Sequence, residues 1–350
     1  MSKSFDNNLM IMVIHLLTLT RNIDDVALDV ATFLREALQA HQQPHRDDDQ
    51  ISILINHVDS DQFSPLRELA PSRAALLLDH RNRVQPGSRT SRALVFSILL
   101  FRLVTFNSDA LKNTKAKDRQ THFETLGEWK TYLAILKGMY PDEKNTFFCN
   151  KSAYGRGQSR TIDHADRCWS TSDIITQHLQ GLPFPAPFTA VGVFIQGLKA
   201  AMLPLAGSLV QILILGDLVY AGAVAMPTAQ ETEGAVRKLK MGGYDALEML
   251  GIPLSPDKAQ SSFVDLYHAL NSTLSTAEKE AMKFDTIMLE HTLCKIKRCR
   301  TYKGITRAGA YMKKKAKEVQ LITQALKRKS STTESNTTRA KRKRTANLAQ

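Results

Sequence analysis

The sequence predicts an all-α protein made of two helical lobes, an N-terminal arm and a disordered basic C-terminal tail. Three observations predict it. Apolar residues recur at a 3.6-residue period over most of the chain. Cap and stop residues flank those stretches. No convincing run of alternating strands and no internal repeat interrupts them. A hydrophobic fraction of 43% over 350 residues is ample for a buried core.

Residues 9–20 (LMIMVIHLLTLT) match a signal-peptide core in length. However, Asp6 precedes them, Lys3 alone supplies positive charge, and RNIDD follows in place of a small-x-small cleavage site. They read as a buried helix or an interaction arm, within an N-terminal element at residues 1–22. The first lobe, residues 23–180, opens with an amphipathic helix over 23–42. Val26, Val30, Phe33, Leu34 and Leu38 share its face, and Asp24 and Asp25 favour its N-terminus. Residues 47–70 fit no single pattern. Pro71 opens a helix through Leu78. Residues 93–106 are apolar enough for a core helix. Thr121 and Glu124 form a capping box for a helix carrying Phe123, Leu126, Trp129, Leu133, Leu136 and Met139. Residues 142–167 lack periodicity, and Ser170 or Thr171 caps a short helix ending at Gly181. The stretch GLPFPAPF at 181–188 is the expected hinge.

The second lobe, residues 189–326, begins with the most apolar part of the chain. Thr228 with Glu231 and Ser275 with Glu278 are further capping boxes, and Ser255 with Pro256 is a helix start. Gly242, Gly243 and Gly251 are stops. A helix over 276–298 carries Met282, Ile287, Leu289, Leu293 and Ile296, and another follows over about 306–326. Beyond Leu326 apolar residues nearly vanish, so the tail at 327–350 is expected to be disordered.

The formal net charge of +13 is unevenly spread. From His291 onward the chain holds 18 Lys and Arg against two acids, Glu318 and Glu334, while the first 290 residues have a net charge of −3. Such asymmetry points to a polyanionic partner. Residues 295–317 read KIKRCRTYKGITRAGAYMKKKAK: ten cations, no acid and two tyrosines. Lys295, Lys297, Arg298, Arg300, Lys303, Arg307, Lys313, Lys314, Lys315 and Lys317 would neutralise phosphates, and Tyr302 and Tyr311 would stack on bases. A solvated helix face is the alternative. Two smaller patches carry the same chemistry: Arg81, Arg83, Arg89 and Arg92, and Lys151, Arg156 and Arg160 around Tyr154 and two nearby glycines. Each also fits an ordinary surface loop. In the tail, Lys327, Arg328 and Lys329 are followed by a Ser/Thr-rich spacer, then Arg339, Lys341, Arg342, Lys343 and Arg344. The two clusters match a bipartite import signal, with an importin as partner, and would bind RNA or DNA without sequence preference.

Catalytic motifs are missing: there is no P-loop, no complete G-x-G-x-x-G, no H-E-x-x-H and no G-x-S-x-G. The expectation is a protein that is not an enzyme and has no cofactor or metal. Cys149, His164 and Cys168, or His291, Cys294 and Cys299, could be drawn as ligands, but neither set has C-x-x-C spacing. Residues 200–226 are long enough to span a bilayer, yet Pro204, Gln211 and Asp217 lie within them. Buried core helices, broken at Gly207, Gly216 and Gly222, are the expectation there.

An arm, two helical lobes, a cationic cleft and a basic tail together resemble the layout of nucleoproteins of negative-strand RNA viruses. The shorter bornavirus-like and plant nuclear rhabdovirus-like members are the nearest in organisation. The resemblance is one of layout; where paramyxovirus relatives carry a Y-P-x-x-W-S-Y-A-M-G type signature, Tyr140 and Pro141 are followed here by DEKNTFF. It implies single-stranded RNA binding without sequence preference, self-assembly with the arm docked on a neighbouring copy, and contact with a polymerase cofactor. It also implies a place in the virion and in the nucleus or cytoplasm. Two other readings stand beside it: a nuclear adaptor or chromatin-associated protein using the tail for import, and a membrane-associated protein anchored near 200–226.

Overall fold

The computed structural model describes residues 21–45, 49–114, 119–140, 146–149, 160–198, 203, 207–239, 242–252 and 259–302. Among them are fifteen α-helices and no strand, so the all-α class read from the sequence holds. A lone parallel bridge joins Ala186 to Val224. Residues up to Arg300 form one compact unit and Thr301–Gln350 a second, of which Thr301 and Tyr302 are described.

Helix α1, Ile23–Gln42, forms where its apolar stripe predicts. The Asn22 side chain accepts from the Asp24 amide, and Asp24 and Asp25 sit in the first turn. Val26, Val30 and Leu34 are fully buried. They face α13, Ala259–Thr273, whose Phe263, Leu266 and Leu270 are equally buried. Each such side chain contributes about 1.5–3 kcal/mol. Two short helices follow, α2 (Gln50–Ile53) capped by Asp49 and α3 (Ser60–Phe63) capped by Asp59. Helix α4, Pro71–Leu78, starts on its proline as expected. Helix α5, Arg92–Leu100, is apolar on every side and continues as a π-turn over Phe101–Thr105. An all-round apolar helix must be covered on all faces. The covers include α8, Ile162–Gln180, and α10, Ser208–Tyr220, on which α9, Phe188–Gly197, also packs.

Several local expectations are corrected. Helix α7, Leu126–Met139, is capped by Thr125 with Glu128, not by Thr121 with Glu124. The Thr121 hydroxyl instead donates to the Ala75 carbonyl and accepts from Asn82. Helix α8 begins nine residues before Thr171, on a Thr161/His164 capping box. Its buried face is made of small and polar residues such as Ala165, Cys168, Ser172 and Thr176, which hide the period. The helix expected over 276–298 is two: α14, Thr276–Met282, and α15, Thr286–Thr301, separated at Lys283 in the left-handed region at φ 52°. Gly216 does not break α10; an added Cβ there would lie 2.9 Å from Arg67 Nη2. The capping boxes at Thr228, before α11 (Ala229–Leu239), and at Ser275 form as read. The remaining helices are α6 (Asp109–Asn113) and α12 (Gly243–Met249). The helix start at Ser255 lies outside the described residues, as do the arm at 1–20 and the helix expected over 306–326.

Candidate nucleic-acid interface

The basic loop between α4 and α5 is held at several points. Asp79 caps the 3-10 turn His80–Asn82 by accepting from the Arg81 amide. Asn82 is fully buried; its amide nitrogen donates to the Leu76 carbonyl at 2.9 Å and to Thr121 Oγ1 at 3.1 Å, and its oxygen faces His122 Nδ1 at 3.0 Å. The Val84 amide donates to the Ala221 carbonyl at 2.8 Å. Gly87, at φ +76°, supplies the left-handed step of the turn. The carbonyl of buried Thr90 accepts from Gln180 Nε2 at 3.1 Å. These anchors leave Arg81, Arg83 and Arg89 exposed in the lining of an open cleft of about 370 Å³, which His122 and Glu124 also line.

The cations differ in what they already hold. Arg81 grips Asp79 with two nitrogens, at 3.0 and 2.7 Å. Burial pushes the Asp79 carboxyl up, but the bonds and charge of Arg81 outweigh it and leave that carboxyl below its ordinary value. The Arg92 guanidinium sits over Trp169, 3.8 Å from the ring centroid, and donates to the Trp169 carbonyl at 2.9 Å. Arg83 and Arg89 make no ion pair among the described residues. An anion entering the cleft therefore meets two guanidiniums that hold no ion pair among the described residues, with the Glu124 carboxylate in the same lining.

The other sites read from the sequence fall differently. Lys295 is only 5% exposed and its ammonium donates to the carbonyls of Asp61 and Gln62, both at 2.8 Å. Arg160 is buried, with Nε donating to the Leu103 carbonyl at 3.3 Å. Both tie distant backbone segments together instead of facing solvent, a correction to their reading as surface cations. Lys297 pairs with Asp245, and Arg298 donates to the Gln62 carbonyl at 3.3 Å. Arg300 is exposed and Tyr302 half-buried. Lys151, Tyr154 and Arg156 lie outside the described residues, as do Lys303, Arg307, Tyr311, Lys313, Lys314, Lys315 and Lys317. The import residues Lys327, Arg328, Lys329, Arg339, Lys341, Arg342, Lys343 and Arg344 lie outside them as well.

Sequence reading missed the charge cluster at the centre of the fold. Asp217, fully buried on α10, receives Arg67 Nη2 at 2.7 Å, Arg73 Nη1 at 2.8 Å, and Arg102 through Nη2 at 2.7 Å and Nε at 2.9 Å. Burial alone would raise the Asp217 carboxyl; Arg102, Arg73 and Arg67 overcome that and hold it at about 2. Glu68 pairs with Arg73 at 2.9 Å. Tyr220, beneath Arg67 and Arg73, donates to Asp285 at 3.0 Å. The signal was present: an acid inside ILILGDLVY needs buried cations.

Among the described residues no helix is long and apolar enough to cross a membrane, and no group of three or more His, Cys, Asp or Glu could hold a metal ion. Burial pushes the thiols of Cys149 and Cys168 up to about 11 and about 12, and His164 is engaged in the cap of α8. No family model matches the chain, and neither the curated proteins nor the solved structures contain a match to it.

Proposed function

We propose that the protein binds single-stranded nucleic acid, RNA in the first instance, by neutralising phosphates without reading sequence, and that it self-assembles as a nucleoprotein. The observation that carries this reading is the anchored 80–91 loop, which presents Arg83 and Arg89 at an open cleft with no acid paired to either among the described residues. An anchored loop binds with little further ordering, and two guanidiniums with no ion pair among the described residues suit a phosphate backbone. The sequence adds 14 Lys and Arg and two acids from Lys303 to the end. Cations in such numbers favour any polyanion, and the tyrosines among them favour unstacked bases. The clusters at Lys327–Lys329 and Lys341–Arg344 fit an importin ligand as well, which would place such a nucleoprotein in the nucleus.

Protein purified without nuclease is expected to carry RNA, seen in its ultraviolet absorbance ratio, and to protect it in assemblies visible by negative stain. Replacing Lys313, Lys314 and Lys315 together by Gln is expected to weaken all single strands alike and to lower the salt slope by roughly 0.7 for each phosphate no longer neutralised. A nucleic-acid-free monomer that ignores single-stranded RNA would favour the nuclear adaptor instead.

A further inference from the structure

A second concavity is apolar where the cleft is charged. Val30 and Phe33 of α1, Ile51 of α2, Leu250, and Ile296 and Cys299 of α15 form the apolar floor of a groove of about 140 Å³. Asp29, Gln50 and Arg300 make its polar rim. A void of about 150 Å³ lined by aliphatic side chains accepts a benzene-sized guest, so this one fits a single leucine or isoleucine side chain.

The described chain begins at the edge of that groove. The Arg21 amide donates to the Gly251 carbonyl at 3.2 Å, next to Leu250 of the floor. Arg21 Nη1 pairs with Asp29 of the rim at 2.8 Å. Immediately before Arg21 stand residues 9–20, nine of whose twelve side chains are apolar. We propose that this apolar segment covers the groove of its own chain, seating a leucine close to Arg21 on the floor formed by Val30, Ile51, Leu250 and Ile296. Reach permits it, because an extended chain advances about 3.3 Å per residue and Arg21 is already fixed at the rim. Tethering favours it over a second copy: a short linker gives an effective concentration in the millimolar range, far above that of a separate protomer in dilute solution. A central apolar contact inside a polar rim is also the usual anatomy of a docking site.

Two measurements on the full chain test this. Changing Leu16, Leu17 and Leu19 together to Asp is expected to lower Tm by several degrees, on the order of 5 °C, whereas Thr18→Asp with Thr20→Asp leaves it unchanged. Single cysteines at 16, 17 or 19 are then oxidised against Cys299, which lines the groove floor. At least one is expected to form an intrachain disulfide, seen as a monomer on a non-reducing gel and as a cross-linked peptide pair by mass spectrometry. An unchanged Tm in the triple-Asp protein overturns the proposal. Cross-links that join two chains assign the groove to a second copy and overturn it equally.

Discussion

Arg67, Arg73 and Arg102 all reach Asp217 within 2.7 to 2.8 Å inside the protein, whereas Arg81, Arg83 and Arg89 stand exposed on a loop a few residues away in sequence. The same side chain thus performs opposite tasks. In the interior the guanidinium is a cross-link: three of them join the segment after α3, helix α4 and the π-turn after α5 to the last turn of α10. Three guanidiniums meet the two carboxylates of Asp217 and Glu68, and all five side chains are buried, so none is offered to a ligand in solvent. On the loop the backbone is held by hydrogen bonds from Asn82, Val84 and Gln180; Arg81 grips Asp79, while Arg83 and Arg89 hold no acid among the described residues. Net charge therefore does not map a binding surface; the acid that meets each cation does.

The contrast between the two arginine sets breaks most visibly at Asp217. Asp217→Asn leaves three buried guanidiniums facing a neutral amide, and removing one partner of a buried ion pair costs about 3–5 kcal/mol. The urea midpoint should fall accordingly, with helical content retained in native conditions only if enough stability remains. The pH dependence gives an independent check. The folded-state carboxyl titrates at about 2, below its ordinary value of 3.8, so it stabilises the fold fully above about pH 4 and loses that contribution as pH falls through about 2. Asp217→Asn is expected to remove the part of acid unfolding that lies in this window. An Asn variant as stable as the parent would mean that the cluster holds nothing together.

How far the fold could be read from sequence follows from the same contrast. Helix α1 was legible because Val26, Val30 and Leu34 recur at helical spacing on its buried face, and Asn22, Asp24 and Asp25 mark its start. Helix α8 was not, since Ala165, Cys168, Ser172 and Thr176 are buried without being strongly apolar, and hydropathy alone sees no stripe. The break at Lys283 was hidden because a non-glycine residue occupies the left-handed region, where glycine is the usual signal. At the candidate site the basic loop was legible as a patch, from its arginines and from Pro86 and Gly87. Its anchoring was not, because Asn82, Thr121 and Gln180 act through contacts between residues far apart in sequence. Lys295 shows the limit most plainly: within a run of ten cations nothing local marks the one that turns inward.

Lys295 also supplies the intermediate case, a cation bound to neutral carbonyls instead of an acid. Lys295→Met would leave the Asp61 carbonyl buried without the ammonium and the Gln62 carbonyl with Arg298 as its remaining donor, at about 1–3 kcal/mol. Burial, helped by the nearby charge of Arg298, lowers the Lys295 ammonium from its ordinary 10.5 to about 7. The unfolded chain then holds more protons than the folded one between about pH 7 and 10.5, so this group makes stability rise with pH across that window. Denaturation profiles of the parent and the Met variant should diverge there and nowhere lower. Parallel profiles would place the ammonium in solvent and return Lys295 to the surface run.

The smallest effect on stability is expected where the effect on binding is largest. Arg83→Gln and Arg89→Gln remove no ion pair among the described residues and uncover no buried group, so each should change unfolding free energy by less than about 0.5 kcal/mol. If phosphates sit in the cleft, each change should weaken single-stranded RNA of any sequence and lower the salt slope by roughly 0.7. Arg81→Gln separates pairing from position within the same loop. Arg81 already holds Asp79 with two bonds, so its removal also frees a carboxylate beside the cleft. That carboxylate would repel phosphate, and its own titration would move up toward the ordinary range once the guanidinium is gone. The Arg81 variant should therefore show a binding loss that partly recovers as pH falls below about 5, a recovery the Arg83 and Arg89 variants lack. Equal, pH-independent losses in all three would mean that position along the loop, not prior pairing, sets what each arginine contributes. Unchanged binding in all of them would move the phosphate site away from this cleft altogether.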